Sequence, residues 1–170
     1  VLDIEKRYAE IGFKDFRHAI TGAPLTKLQH PETETFWGSR HERAGVECKD
    51  CHMPKTKDKK GKTFTFHGQR SARYMLRDTC VRCHTYWNQE MAEYQVDSVQ
   101  NYIRGKMRKA EFWLSQLIQT YTRAKDLGVK EEALKEVWAY HDKAHILWEW
   151  WTAENSDGFH NPHLARESAA

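Results

Sequence analysis

Cys48-Lys49-Asp50-Cys51-His52 and Cys80-Val81-Arg82-Cys83-His84 repeat one pattern, C-x-x-C-H, and together contain all four cysteines of the 170-residue chain. This pattern is the attachment signature of c-type haem. Two thiols three positions apart can form thioethers with the two vinyl groups on one porphyrin edge, and the histidine that follows supplies a proximal imidazole to the iron. The sequence therefore predicts two covalently bound haems. The predicted attachment residues are Cys48, Cys51, Cys80 and Cys83, and the predicted proximal ligands are His52 and His84.

Three other uses of paired cysteines agree less well with the sequence. Zinc sites built from two C-x-x-C pairs separate them by about 15 to 20 residues, whereas 28 residues lie between Cys51 and Cys80. A thioredoxin-type redox motif belongs to a βαβ unit, and strand patterns are scarce here. Structural disulfides would not need a histidine after both pairs. Haem is therefore favoured, and two haem plates would also explain why aliphatic residues are few while aromatic residues are many.

Composition excludes two classes of function. The chain has 27 Lys and Arg residues against 24 Asp and Glu residues, and this net charge of +3 is too small for a dedicated nucleic-acid-binding protein. It has no run of about 18 apolar residues, so no transmembrane segment is expected. Residues 1–6 do not resemble a signal peptide. Because bacterial haem c attachment takes place outside the inner membrane, we expect a periplasmic location.

The pattern beyond the two frames predicts a mainly α-helical multihaem cytochrome c, with an irregular haem-wrapping segment followed by long helices. Residues 3–20 carry apolar residues at near-helical spacing and are predicted to form a first helix. Residues 24–87 show little periodicity, apart from an alternation at residues 63–67 that indicates a short extended segment. The lysines between residues 55 and 62 are expected to lie in a solvated loop.

Two long helices are predicted in the last part of the chain. Apolar residues step by four and three from Ile103 to Ala124, and again from Leu134 to Thr152, with a stop at Gly128. The first seam could be covered by the second helix or by a partner. Because the second helix has an aromatic face of its own, we expect the first helix to meet a copy of itself in a two-fold dimer.

We predict one haem-binding unit over residues 1–170, forming part of a larger chain. It consists of a haem-attachment and active-site segment (1–87), a long helical hairpin (88–155) and a C-terminal haem-ligand tail (156–170).

Eight histidines remain beyond the two frames. A bis-histidine haem needs one distal histidine, so the two haems need at most two of them. His41, His67 and His160 lie in predicted loops with aromatic neighbours and are candidates for this role.

Other polar residues have less specific patterns. His141 and His145 share a helix face at a spacing that can bind zinc when a third ligand is present. Without an H-E-x-x-H pattern, packed or surface histidines are favoured. His18 and His163 receive no role, and residue chemistry alone favours a polar loop at residues 27–32.

Lys27-Leu28-Gln29-His30-Pro31-Glu32, with the frame at Cys48 that follows it, resembles the second half of the pentahaem cytochrome c nitrite reductases. Residues 153–162 resemble their C-terminal signature, and order and spacing agree across nearly all of the chain. In that family, nitrite is reduced to ammonium with six electrons at a haem whose proximal ligand is lysine. The resemblance implies five haems c in the full enzyme and a homodimer formed through long helices.

The resemblance also implies residue roles. His30 would be the active-site histidine above the catalytic haem, and the Gln29 side chain and the Lys27 carbonyl would bind a nearby calcium. The implied distal ligands are His41 for the haem held by His84, His160 for the haem held by His52, and His67 for a haem attached elsewhere.

This chain departs from the family because it has no C-x-x-C-K frame and lacks two further C-x-x-C-H frames. It therefore resembles the C-terminal portion of the enzyme, and alone it could not hold the catalytic iron. The leading hypothesis is part of a nitrite reductase that receives electrons from a donor cytochrome or a quinol dehydrogenase. The alternatives are a stand-alone dihaem electron-transfer cytochrome, or a related multihaem enzyme acting on hydroxylamine or sulfite.

Overall fold

The computed structural model describes residues 3–68 and 70–169. It is mainly α-helical, as predicted, with two short antiparallel hairpins in the N-terminal half. The short N-terminal elements are α1 (Ile4–Ile11), β1 (Phe16–Arg17), β2 (Pro24–Leu25), α2 (Glu32–Phe36), α3 (Arg40–Arg43), α4 (Cys48–His52), β3 (Lys55–Lys57), β4 (Thr63–Thr65), a 3₁₀ turn (Ala72–Met75) and α5 (Cys80–Cys83). The C-terminal half consists of α6 (Gln89–Asp126), α7 (Glu131–Ala153) and α8 (Pro162–Ser168).

Helices α6 and α7 confirm the two predicted long helices. The Asn88 side chain caps α6 by accepting a hydrogen bond from the Met91 amide, which satisfies one of the free N–H groups of the first turn. Gly128, at φ +83°, reverses the chain after α6 ends. The two helices run antiparallel, and the Trp148 indole donates to the Glu111 carboxylate across the pair at 3.3 Å.

The apolar seam of α6 faces the interior of this chain. Ile103 and Met107 are buried in a core with Ile146 and Trp150 of α7 and with Ala165 of α8. The neighbouring helices cover the first part of the seam, whereas Leu114 and Leu117 farther along are only partly buried. The two-fold dimer stays a prediction. No helix in the described part of the chain is long and apolar enough to cross a membrane.

The first predicted helix, residues 3–20, extends nine residues beyond the observed end of α1 at Ile11. Helix α1 ends at Ile11 because Gly12 adopts a left-handed conformation, φ +66°, and its N–H bonds the Tyr8 carbonyl. Glycine is favoured at this capping position because it has no Cβ to clash. The chain then forms the β1–β2 hairpin, in which Phe16 pairs with Leu25.

The lysine-rich segment forms a hairpin instead of the predicted loop. Strand β3 pairs with β4, so that Lys55 lies opposite Thr65. This confirms the extended segment predicted at residues 63–67 for its first three residues, Thr63–Thr65. The Asp58 carboxylate closes the turn by accepting hydrogen bonds from the Lys60 and Lys62 amides. An aspartate that binds its own following backbone is a common turn device.

Polar contacts join the N-terminal segment to α7. The Trp138 indole donates to the Thr21 carbonyl at 2.8 Å, and the Lys14 ammonium lies 2.5 Å from the Asp142 carboxylate. His141 is buried against His18, with ring centres 4.8 Å apart. Burial and the nearby His18 lower the pKa of His141 to about 4, so at neutral pH it is an uncharged packing residue.

Gly158 is the tightest point in the C-terminal segment. Its φ is +82°, and a Cβ there would lie 2.9 Å from both Ile103 Cγ1 and Ala165 Cβ. Only glycine suits such a position, because both the backbone conformation and the close approach penalise a side chain. The turn after α7 is thereby fixed against α6. The division of the chain at residues 87 and 155 stays a prediction.

Gly158→Ala should lower the free energy of unfolding by about 2 kcal/mol, because it adds left-handed strain and overpacks the core. Gly105→Ala is the matched control. Gly105 lies inside α6, and a Cβ there would meet nothing within 4 Å, so this change should stabilise by roughly 0.5–1 kcal/mol. Denaturant unfolding of both variants measures the difference. Equal stability of the two variants would contradict the packing described.

Candidate haem sites and active-site loop

Both C-x-x-C-H frames lie on single turns of helix. Helix α4 carries Cys48 and Cys51, and α5 carries Cys80 and Cys83. Residues three apart on a helix share a face, which suits two thioether bonds to one porphyrin edge. No disulfide joins any of the four cysteines, so all four are available for thioether bonds.

The two frames lie close to each other in space. Burial raises the pKa of the Cys51 thiol to about 11, and the neighbouring Cys80 thiol of the other frame adds to the increase. Two haems attached at these frames would be near neighbours, as an electron relay requires.

Each frame histidine faces a second histidine from another part of the chain. The ring centres of His41 and His84 are 6.4 Å apart, and those of His52 and His160 are 6.1 Å apart. Iron–nitrogen bonds of about 2 Å on both faces of a haem would put two opposing imidazole centres roughly 6 Å apart. The two pairs therefore have the spacing that bis-histidine ligation needs.

Hydrogen bonds orient both rings of the second pair. The Nδ1 atom of His52 donates to the Arg70 carbonyl at 3.4 Å. The Nδ1 atom of His160 lies 2.6 Å from Glu154 Oε1. A histidine that donates through Nδ1 leaves the Nε2 lone pair free, and this is the usual arrangement of a metal-ligating histidine.

The first pair is held by aromatic packing. Trp87 stacks on His84 with ring centres 4.0 Å apart and planes 9° apart. Burial, together with the nearby His84, lowers the pKa of His41. Metal ligation needs neutral imidazole, so the environment of His41 favours the ligating form.

An open crevice beside the two frames is lined by arginines and aromatic rings. Arg70 lies 5.1 Å from the centre of the Phe66 ring and 6.0 Å from that of Tyr74. Arg73 and Arg77 line the same crevice. Arginine is well suited to carboxylates, so these groups could pair with haem propionates.

The loop that contains His30 lies between β2 and α2 and is firmly anchored. The Lys27 amide donates to Asp15 Oδ2 at 2.7 Å, and the Lys27 ammonium lies 2.7 Å from Glu149 Oε1. The Glu149 side chain is only 6% exposed. A buried carboxylate without a cation would be costly, so this ion pair ties the loop to α7.

His30 has a backbone conformation that is uncommon for residues other than glycine. Its φ is +51°, in the left-handed region that residues other than glycine seldom adopt. Such strain concentrates at functional sites. The His30 side chain is 74% exposed, and the exposed Gln29 precedes it. All three residues of the predicted active-site loop, Lys27, Gln29 and His30, are thus exposed.

The end of α7 holds this loop in place. The Asn155 side-chain amide lies 3.1 Å from His30 Nδ1 and 2.6 Å from Glu32 Oε1. Glu154 and Asn155 entered the sequence analysis only as part of a C-terminal signature and received no role. The only feature of the sequence that pointed to these two residues was their position, directly after a predicted helix and shortly before His160.

The remaining histidines differ in their surroundings. His67 is exposed after β4, where it is open to contact from outside the chain. His145 packs at the edge of Phe16, and His163 lies 3.5 Å from Glu167 on the surface of α8. Within residues 3–68 and 70–169, no group of three or more His, Cys, Asp and Glu side chains is placed to hold a metal ion.

Comparison with known proteins gives one family match and several relatives. The family model described as Cytochrome c552 matches residues 1–168. Cytochrome c-552 of Haemophilus influenzae (strain 86-028NP) is 33% identical over 161 residues, which cover 93% of this chain and 29% of that protein. Cytochrome c-552 of Haemophilus ducreyi is 32% identical over 170 residues, or 98% of this chain and 33% of that protein.

Two solved structures resemble the fold. Cytochrome c nitrite reductase from Desulfovibrio desulfuricans, whose catalytic subunit is described with two calcium sites, superposes with a TM-score of 0.81 at 30% identity. The match covers 92% of this chain and 34% of that one. The outer cell wall cytochrome OcwA gives a TM-score of 0.56 at 26% identity, over 84% of this chain and 29% of that one. The chain thus spans about a third of the length of the relatives that it matches.

Replacing His41 or His160 by Ala should convert one haem from six-coordinate low-spin to high-spin, because each removes one axial nitrogen. EPR spectra of the oxidised protein measure the change, and Ala at the surface residue His163 is the control. Unchanged low-spin signals in both variants would rule out the two pairings.

Proposed function

Because the chain belongs to the cytochrome c552 family, which implies covalently bound haem c, we propose that it is the C-terminal portion of a periplasmic pentahaem enzyme that reduces nitrite to ammonium. The observation that carries this proposal is the match to cytochrome c nitrite reductase over 92% of the chain. The geometry of the histidine pairs and the strained, anchored His30 loop support it independently.

In this proposal, the chain holds two of five haems. Thioether bonds from Cys48 and Cys51 and from Cys80 and Cys83 attach them. The axial pairs are His52 with His160 and His84 with His41, which leave both irons closed to substrate. Haems ligated in this way supply electron transfer, and His67 would be the distal ligand to a haem attached elsewhere in the enzyme.

His30 is the proposed catalytic residue of this chain. A histidine within reach of bound nitrite can donate a hydrogen bond to a substrate oxygen and help to deliver protons. The loop orients this side chain before substrate arrives, because Asn155 contacts the His30 ring and the Lys27 amide anchors the loop backbone to Asp15. A donor that is held in position before substrate binds lowers the activation free energy more than a mobile donor does.

The same loop is proposed to bind calcium through the Lys27 carbonyl and the Gln29 side chain. Calcium takes about six to eight oxygen ligands, so the remaining ligands would come from water or from outside this chain. The Lys27 ammonium forms an ion pair with Glu149 of α7. This contact directs the positive charge of Lys27 toward a carboxylate.

A stand-alone dihaem electron-transfer cytochrome is the second candidate. The observation that favours it is that both bis-histidine pairs are complete within this chain. Intact mass of the natural holoprotein separates the two candidates. A covalent chain of about 20 kDa plus two haems supports the electron-transfer module, and a chain about three times larger supports the enzyme. Turnover with hydroxylamine or sulfite, but not nitrite, would identify a related multihaem enzyme.

His30→Ala in the full enzyme should lower nitrite turnover by roughly 100-fold or more, because one proton-transfer group is lost. Covalent haem content should not change, since His30 ligates no haem in this proposal. Steady-state kinetics with a reduced dye measure nitrite turnover, and the pyridine haemochrome assay measures covalent haem content. Full turnover with intact haems would remove His30 from the mechanism.

We also propose a homodimer through the long helices, and electron delivery by a donor cytochrome or a quinol dehydrogenase. A shallow apolar groove between α6 and α7 supports the dimer. It includes Leu117 and Leu134, and its rim residue Trp113 is 60% exposed. Exposed apolar patches of this kind often mark partner surfaces.

Trp113→Asp should shift the full protein from dimer to monomer, because it places a charge in a buried apolar interface. Tyr140→Asp is the control, since Tyr140 is 73% exposed on α7 and outside the groove. Sedimentation velocity at micromolar concentration measures both. An unaltered protein that sediments as a monomer would refute the dimer.

A further inference from the structure

Two consecutive residues at the end of α7, Glu154 and Asn155, each contact the Nδ1 atom of a different histidine. Glu154 lies 2.6 Å from Nδ1 of His160, and Asn155 lies 3.1 Å from Nδ1 of His30. The first histidine is a proposed haem ligand and the second is the proposed catalytic residue. Their neighbours differ in chemistry, because a carboxylate only accepts hydrogen bonds and an amide nitrogen only donates them.

The surroundings of Glu154 require a carboxylate. Its side chain is fully buried, and it accepts hydrogen bonds from the Ser156 amide, the Ser156 hydroxyl and the Gly158 amide as well as from His160. The donors of these four hydrogen bonds reach both carboxylate oxygens, two on each, so Glu154 only accepts and carries no proton of its own. Nδ1 of His160 therefore carries the ring proton, and its Nε2 is a free lone pair.

The surroundings of Asn155 fix its side-chain orientation. Its Nδ2 atom donates to Glu32 Oε1 at 2.6 Å, and its backbone amide lies 3.3 Å from the same oxygen. The reverse orientation would place the amide oxygen against the Glu32 carboxylate. The second Nδ2 hydrogen is thus directed to Nδ1 of His30. Glu32 Oε1 also faces this atom but lies 3.6 Å away, beyond hydrogen-bond distance. Nδ1 of His30 therefore accepts from Asn155, and the ring proton of neutral His30 lies on Nε2.

We propose that Glu154 and Asn155 set the two histidines to opposite tautomers, so that His160 presents a lone pair to iron and His30 presents an N–H to an oxygen of the substrate. Both are positioning residues, since they act through the histidines. The role given to His30 rests on the proposed nitrite reduction. The assignment of the two tautomers does not depend on that function.

Neutron diffraction from deuterated crystals of the oxidised holoprotein tests the tautomers directly. At pH 8, above the ordinary histidine pKa of about 6.5, we expect deuterium on Nδ1 of His160 and on Nε2 of His30. Deuterium on Nδ1 of His30, or none on Nδ1 of His160, would overturn the inference. Absence of nitrite turnover in the unaltered enzyme would instead overturn the proposed function and leave the tautomers as observed.

A paired substitution tests what the His30 tautomer does. Asn155→Asp together with Glu32→Gln keeps the size and net charge of the pair but reverses the hydrogen bonds, so the ring proton moves to Nδ1. We expect kcat for nitrite to fall about 10- to 100-fold, with covalent haem content and unfolding temperature unchanged. Glu34→Gln, on the exposed face of α2, is the control and should retain most activity, because it leaves the contacts of Asn155 with Glu32 and His30 unchanged. Full activity of the paired variant would reduce Asn155 to a structural role.

Glu154→Gln tests the other histidine. An accepting carboxylate makes imidazole a stronger electron donor to iron, so its loss should raise the midpoint potential of the haem held by His52. The haem held by His84 should keep its potential and serves as the internal control. Unchanged potentials for both haems would overturn this part of the inference. If the variant yields no holoprotein, the neutron map of the unaltered protein decides.

Discussion

The buried carboxylate of Glu154 determines how the C-terminal third of the molecule is arranged. A charge removed from water is tolerated only when hydrogen bonds satisfy it, and residues 156–160 wrap around this one to supply them. The wrap places Gly158 against Ile103 of α6 and turns His160 toward His52 of α4. One electrostatic requirement thus positions a core contact and a candidate iron ligand at the same time.

Polar contacts over long sequence distances hold the irregular N-terminal half against this framework. The Asn161 side chain donates to the Thr35 carbonyl, and the Trp150 indole donates to the Thr35 hydroxyl. Thr35 is fully buried, so these bonds form away from water. A segment with little apolar periodicity contributes few hydrophobic contacts of its own. Specific hydrogen bonds to α7 and the turn beyond it, with the haems, take the place of such a core.

Much of the fold was predictable because its signals are local. The haem frames and the two long helices follow from spacing within a few turns of chain. The first helix was predicted to be too long because the apolar spacing continues past Gly12, where the backbone adopts a left-handed conformation. The roles of Glu154 and Asn155 could not be predicted, because they depend on hydrogen bonds and not on a repeated pattern. Asn155 meets His30 across 125 positions, and no short-range pattern encodes that contact.

The span between His30 and Asn155 also sets an order for biogenesis. A chain is made from its N-terminus, so the loop bearing His30 and both C-x-x-C-H frames emerge well before the residues at the end of α7. Haem can therefore be ligated to the frames while the partners of His30 and His52 are still missing. Non-local contacts form late because their loop-closure entropy must be overcome first. His30, the proposed proton donor, would accordingly be locked in place only at the final stage of maturation, after haem attachment to the two frames.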